Sequence, residues 1–330
     1  MTAPQDINQN GSVVFFGGSS FSLPTLERVH RMAERLLVVT HAPTRVGRKQ
    51  TEEPSLVALW AREHHCELVE VRTLKDQTFQ DRLNAFQPRV GISASFGMIF
   101  PSSIIERFPR GIINVHPSLL PRHRGSSPVQ WTIHEGDAET GVTLFLIDAQ
   151  VDHGPVIAQR RMPTPENIAA PALLDILGES GAALVEETLP RYLSGALTPV
   201  VQHHDAATIT PMLTKDTGRI NWQHDDAAQI ERNIRAFTPW PGVWTSVEFG
   251  IKNTESRERK MLKILAADIL PRSAHHPEKT GSIFLVDGRL AIQTIDGLLS
   301  PTHLQLEGGK PMSVDAFLRG HTSIVGTTCL

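Results

Sequence analysis

Val13-Val14-Phe15-Phe16-Gly17-Gly18 is four consecutive apolar residues cut off by a glycine pair, the pattern of a buried strand that empties into a loop. Outward from it the same unit repeats. Pro24 suits the first turn of a helix running to about Met32, and Leu36 to Thr40 is a second strand. A loop over 41–54 holds Pro43, Gly47 and Pro54. A helix over 56–65, a strand over 67–71, a helix over 76–86 and a strand over 90–93 follow. Pro101-Ser102-Ser103 caps a short helix, and 112–115 is a fifth strand. Strands alternating with helices predict an α/β fold, a Rossmann-like, doubly wound, mostly parallel sheet with helices on both faces. Pro128 begins another helix, strands are predicted over 141–147 and 156–161, and 170–193 reads as one long helix.

The texture changes at Gly195-Ala196-Leu197-Thr198-Pro199, which reads as a linker. Beyond it come a helix over 226–237 and short strands over 243–249, 262–267, 282–286 and 290–294. Turn pairs such as Asp287-Gly288 and Asp296-Gly297 separate them. This is the pattern of a small β-barrel or sandwich.

With 330 residues the chain is long for one core and comfortable for two domains. Its 40% hydrophobic and 20% charged content is ordinary for a soluble globular protein. No apolar run approaches the roughly 18–20 residues needed to span a bilayer. The start, MTAPQDINQNGS, has neither an apolar stretch nor a cationic one, so a cytoplasmic location is the expectation. Cys66 and Cys329 lie far apart without metal-ligand spacing, and neither a disulfide nor a metal site is expected. Cys66 reads as a small core residue and Cys329 as part of a frayed end. The net charge of −3 argues mildly against a protein that binds nucleic acid over its whole surface, so any RNA contact calls for a local patch.

Gly17-Gly18 invites a dinucleotide-binding reading, but the full G-x-G-x-x-G spacing is missing. The chemistry-bearing stretch is Asn114-Val115-His116-Pro117-Ser118-Leu119-Leu120-Pro121-Arg122-His123-Arg124-Gly125. Asn114 and His116 are two apart on a strand and project from one side of it. They lie at the strand's C-terminal end, where ligands bind in open α/β sheets. An amide donor beside an imidazole suits a tetrahedral intermediate, one group holding the oxyanion and the other handling a proton. The plain alternative is a strand-end turn with a surface histidine. A second stretch, Asp148-Ala149-Gln150-Val151-Asp152-His153-Gly154-Pro155, carries two carboxylates four apart. One of them could meet the imidazole and orient it, or the stretch could be an ordinary Asp/Gly turn.

The run NVHPSLLPRHRGSSPVQW, the EGDAETGVT after it and the later DAQVDHGPVI, in that order and spacing, resemble the folate-dependent formyltransferases. That family includes enzymes acting on glycinamide ribonucleotide, on sugar nucleotides and on methionyl-tRNA. The resemblance implies that Asn114, His116 and Asp152 are catalytic. It implies that Ser118, Leu119, Leu120 and Pro121 belong to the folate-binding segment, and that 10-formyltetrahydrofolate is the formyl donor, with no metal. Asn114 and cationic His116 would stabilise the oxyanion, and Asp152 would hold that cation and relay a proton.

Met212-Leu213-Thr214-Lys215, Gly218-Arg219-Ile220-Asn221-Trp222, the run from Ile234 to Gly242, and Gly309-Lys310-Pro311-Met312-Ser313 are similar to the branch that acts on methionyl initiator tRNA. Such enzymes carry a long basic loop after the second strand that engages the tRNA acceptor end. Here it is the loop over 41–54: Arg48 takes the place of the family's key arginine, and Arg45 and Lys49 flank it as phosphate contacts. Glu52-Glu53 ends the loop on acidic residues, and Gln150 and His153 depart from the usual second motif. Implied partners are methionyl initiator tRNA and a reduced folate, with no membrane, and the expected assembly is a monomer. The expected organisation is a tail over 1–11, a catalytic domain over 12–194, a linker over 195–208 and a C-terminal OB-like tRNA-binding domain over 209–330. An acceptor amine on a sugar nucleotide is the first alternative. A formyl-folate hydrolase would carry a further small domain before the first strand, and a non-catalytic RNA-binding module would not need all three catalytic residue types. Trp222, Trp240 and Trp244 read as packing residues. The pairs His64-His65, His203-His204 and His275-His276 read as surface.

Overall fold

The computed structural model describes residues 11–46, 51–250, 257–270 and 279–330. The chain divides into two units: Met1–Thr132 with Ala138–Thr164 and Pro171–Pro211, and Ile133–Asp137 with Pro165–Ala170 and Met212–Leu330.

The first unit is built on β1 (Ser12–Gly17), α1 (Leu23–Met32), β2 (Arg35–His41), the hairpin strands β3 (Thr44–Val46) and β4 (Thr51–Glu53), and α2 (Leu56–Glu63). It continues through β5 (Glu67–Val71), α3 (Gln77–Phe86), β6 (Val90–Ala94), α4 (Ser102–Ile105), β7 (Ile112–His116) and the short β8 (Arg124–Gly125). Next come α5 (Pro128–Glu135), β9 (Glu139–Leu146), β10 (Val156–Pro163), α6 (Ala170–Leu193) and the short β11 (Ile209–Thr210). Seven strands form one sheet in the order β10-β9-β7-β6-β1-β2-β5. The five strands around β1 are parallel, while β9 runs antiparallel to β7 and β10 antiparallel to β9. The order jumps from β1 outward to β2 on one side and to β6 on the other, which makes the carboxyl ends of β1 and β6 the switch point of the sheet.

Local chemistry explains the elements. Pro24 stands in the first turn of α1. Ser55 and Asp76 cap α2 and α3 by accepting the N–H groups of Ala58 (3.0 Å) and Phe79 (3.2 Å). Val13 to Phe16 are fully buried because helices cover both faces of the sheet. Phe16 packs edge-on against Phe100 at 4.9 Å and also meets Phe79, Phe96 and Phe108. Truncating it to alanine would cost about 3–5 kcal/mol.

The segment expected to be a bare linker is tied into this unit. Val200 makes a two-way backbone bridge to Val156 at 2.8 Å, and β11 pairs in parallel with β8.

The second unit holds α7 (Ala227–Phe237), β12 (Val243–Gly250), β13 (Arg257–Leu270), β14 (Ile283–Val286), β15 (Arg289–Gln293), β16 (Leu298–Leu306), β17 (Met312–Ser313) and α8 (Val314–Gly320). The strands follow the order β12-β13-β16-β15-β14, with β17 on β16. β16 was not anticipated from sequence; it begins directly after the predicted Asp296-Gly297 turn. The chain end joins the two outer strands of this curled sheet. Leu330 N–H donates to Ser246 O on β12 (2.9 Å), and Cys329 N–H donates to Gly281 O beside β14 (2.8 Å).

Cys329 is therefore not frayed but buried, and burial pushes its thiol up to about 12. Trp222 is a core residue whose indole N–H donates to Thr245 Oγ1 (2.9 Å), whereas Trp240 is exposed, against the expectation of packing. His275-His276 lie outside the described residues.

Candidate active site

β7 carries Asn114 and His116 to the carboxyl edge of the sheet, on the same side of the strand. In register Asn114 lies opposite Ser93 of β6 and Phe145 of β9, and His116 opposite Thr143. Asn114 is half-buried, and its amide has no hydrogen-bond partner among the described residues. His116 is buried, with its ring edge-on to Phe145 at 6.2 Å.

The tautomer of His116 follows from its partner. Nε2 lies 2.9 Å from the carbonyl oxygen of His123, which only accepts, so Nε2 carries a proton. Nδ1 is left as the atom that gains or loses one. It faces Asp152, whose Oδ2 is 3.7 Å away. That separation is within ion-pair range but beyond a hydrogen bond. Asp152 Oδ2 also accepts the N–H of Gly125 at 2.7 Å.

Asp152 has φ 48, a left-handed conformation that aspartate tolerates better than most residues. Two glycines permit the approach. A Cβ on Gly154 would lie 1.8 Å from Leu146 O, and one on Gly125 (φ 116) would lie 2.6 Å from Thr210 O. Gln202 donates its amide N–H groups to the carbonyls of Asp152 (3.0 Å) and Gly154 (2.7 Å). Its Oε1 accepts from Arg124 Nε (3.2 Å) and Nη2 (2.7 Å). Arg124 Nη2 also donates to His204 Nδ1 at 2.9 Å. The His204 ring stacks on His153 at 4.0 Å, and His153 Nδ1 contacts Asp148 Oδ2 at 2.7 Å. Partial desolvation, then the neighbouring His153 and Arg124, push the His204 pKa down, which matches its acceptor role.

The Ser118–Pro121 segment is shaped by β9 and β10. Thr143 donates its hydroxyl to Ser118 O (2.7 Å) and accepts from Leu120 N (3.1 Å) and Gln159 Nε2 (2.9 Å). Gln159 Nε2 also reaches Leu120 O at 2.7 Å. Ser118 Oγ closes its own turn by donating to Arg122 O at 2.7 Å.

Asn114, His116, Asp152 and the 118–121 segment therefore meet at one place. Arg124 and Thr143, which lie in the quoted stretches without an assigned role, and Gln159 and Gln202, to which no motif pointed, belong there too. Of the basic loop, Arg45 has its backbone in β3, in register with Glu52 of β4, while Arg48 and Lys49 lie outside the described residues. Among the described residues no group of three or more His, Cys, Asp or Glu is placed to hold a metal ion.

Residues 12–181 match the Formyl transferase family, and residues 212–322 match its Formyl transferase C-terminal domain. The chain belongs to the formyltransferase family. It is 35% identical over 311 residues to the methionyl-tRNA formyltransferase of Chloroflexus aurantiacus, covering 93% of this chain and 96% of that one. It is 38% identical over 311 residues to the methionyl-tRNA formyltransferase of a Roseiflexus species, covering 93% and 92%. Among solved structures, an N-formyltransferase from Helicobacter canadensis, in complex with folinic acid and dTDP-3-aminofucose, superposes with TM-score 0.63. Its identity is 18%, over 88% of this chain and 98% of that chain. HypX from Aquifex aeolicus in complex with tetrahydrofolic acid gives TM-score 0.59 at 18% identity, over 93% of this chain and 46% of that chain. At that identity both structures share the fold of this formyltransferase.

Proposed function

We propose that this chain transfers the formyl group of 10-formyltetrahydrofolate to the α-amino group of methionine esterified to initiator tRNA. The observation that carries this reading is the near-full-length similarity to methionyl-tRNA formyltransferases, at 35–38% identity. The sugar-nucleotide enzyme is similar at only 18%. In this reading the protein works as a monomer in the cytoplasm; among the described residues no helix is long and apolar enough to cross a membrane.

The residues divide the work as follows. The acceptor is an α-amine, with an unperturbed pKa of about 7.7–8.0, so a neutral nucleophilic fraction exists near neutral pH. It attacks the formyl carbon, and negative charge grows on the formyl oxygen. The amide of Asn114, without a hydrogen-bond partner among the described residues, and the Nδ1–H of cationic His116 stabilise that charge. As the bond from the formyl carbon to the folate nitrogen breaks, Asp152, fixed by the Gly125 N–H, steadies the imidazolium and relays the proton lost by the attacking amine to the departing nitrogen. Ser118 to Pro121 form a wall for the folate, held by Thr143 and Gln159. Arg48, with Arg45 and Lys49, positions the acceptor end of the tRNA.

The test is formyl transfer from 10-formyltetrahydrofolate to methionyl initiator tRNA and to an amino-sugar nucleotide in parallel, with Arg48→Ala beside the parent. Turnover on the tRNA alone, much reduced in Arg48→Ala, is the expected result. Turnover on the sugar, or on neither, sinks the tRNA assignment and leaves the family standing.

A further inference from the structure

We infer that Gln202 is the positioning residue for Asp152, gripping the backbone of residues 152–154 and the side chain of Arg124 at once. The inference rests on the reading of Asp152 as the proton-handling carboxylate.

Asp152 is held from two sides. Its carboxylate takes the N–H of Gly125, and its main-chain carbonyl takes Nε2 of Gln202. The two supports are linked: Gln202 Oε1 is bound by Arg124, the residue preceding Gly125. One amide thus sets the spacing between the loop that presents Asp152 and the strand end that receives its carboxylate. The orientation of that amide follows from chemistry. Arginine only donates, so Oε1 faces Arg124; the Asp152 and Gly154 carbonyls only accept, so Nε2 faces them.

Both side chains are buried, Gln202 6% and Arg124 9% exposed, so water does not replace these bonds at little cost. General attachment of the segment does not need the Gln202 side chain. Backbone groups do that through the Val156–Val200 bridge and the pairing of Ile209–Thr210 with Arg124–Gly125, supported by Thr210 Oγ1 donating to Arg124 O at 2.9 Å. What the Gln202 side chain adds is the left-handed placement of Asp152 relative to Gly125.

The experiment compares Gln202→Glu, Gln202→Leu and Asp152→Asn with the parent protein. Gln202→Glu keeps the shape and the acceptor for Arg124 but has no N–H for the two carbonyls. Gln202→Leu removes both functions without adding charge. The readouts are kcat and KM for folate and tRNA, the pH–rate profile and a thermal melt. With the melt retained, both Gln202 variants are expected to lose kcat on the order of 10²-fold, the effect of a misplacement near 1 Å. KM should change little. The pH–rate profile of Gln202→Leu should depart from the parent's, because a displaced carboxylate no longer faces Nδ1 of His116. If Gln202→Leu does not melt cooperatively, Gln202→Glu decides. Parent-like kcat in the Gln202 variants, or a loss in KM alone with an unmoved pH–rate profile, overturns the inference. If Asp152→Asn itself turns over at the parent rate, it is the reading of Asp152 that fails.

Discussion

The N–H of Gly125 lies 2.7 Å from Oδ2 of Asp152, so the end of β8 holds the carboxylate that faces His116. Neither partner is near the other in sequence, and both depend on a third segment, residues 200–210, for their placement.

Asn114→Ala, His116→Ala and Asp152→Asn should each lower kcat by about 10²–10³-fold or more, the usual loss of an oxyanion or proton-handling group. The melting temperature of Asn114→Ala should stay near that of the parent, since its amide has no hydrogen-bond partner among the described residues, whereas His116→Ala gives up a buried bond to His123 O and should melt lower. Single-turnover formyl transfer measures this; near-full turnover in any one of them removes that residue from its role.

Gly154→Ala tests the loop independently of its polar groups. The added Cβ would fall 1.8 Å from Leu146 O, a backbone atom that cannot rotate away. The loop must shift, carrying Asp152 with it. Overpacking of this kind costs about 1–3 kcal/mol, and kcat should fall on the order of 10²-fold. Thermal melting and kinetics on the same preparation would show both; a variant active at the parent rate would mean that the loop position is not critical.

His204 gives a pH dependence with a definite sign. Its folded pKa lies below the ordinary value of about 6.5, by desolvation first and then by His153 and Arg124, with Asp148 and Asp205 opposing. The unfolded chain therefore binds the extra proton more readily, and stability falls as pH drops through the window from about 6.5 down to the depressed value. Protonation also removes the Nδ1 acceptor from Arg124. His204→Gln keeps an acceptor and does not titrate. Between pH 7.5 and 5.5 the parent should lose more Tm than this variant, and equal losses would contradict the account.

The two thiols should behave differently. Burial raises the pKa of both, but Cys329 is enclosed and pushed up to about 12, while Cys66 is half-buried. A thiol reagent should label Cys66 slowly in the native protein and Cys329 only with denaturant. Fast native labelling of Cys329 would show that the chain end leaves its place between Ser246 and Gly281.

Much of the candidate site's geometry was legible because it is local. Asn114 and His116 share one strand face by spacing alone, and the 148–155 stretch follows the next strand. Gln202 was not legible. It sits in a Gly/Pro-flanked stretch without periodicity, and an isolated glutamine has no spacing partner; its role appears only once residues 124, 152 and 202 meet. His203 and His204 are exposed, as the surface reading has it, but the contact of the His204 ring with Arg124 could not be read from the pair. The antiparallel sense of β9 and β10 escaped because strand direction is not encoded in apolar runs. Nearness to a chain end does not decide burial: the main chain of residues 326–330 completes a sheet and encloses Cys329.

The strap formed by residues 200–210 bears on where this enzyme can be cut and recombined. A chimera joined at residue 194 would carry its neighbour's glutamine, threonines and strand against this chain's Arg124 and Asp152, and would inherit two halves of one active site. A junction after Pro211 keeps both halves from the same parent. Exchange of C-terminal domains among such enzymes should therefore tolerate the later breakpoint and reject the earlier one.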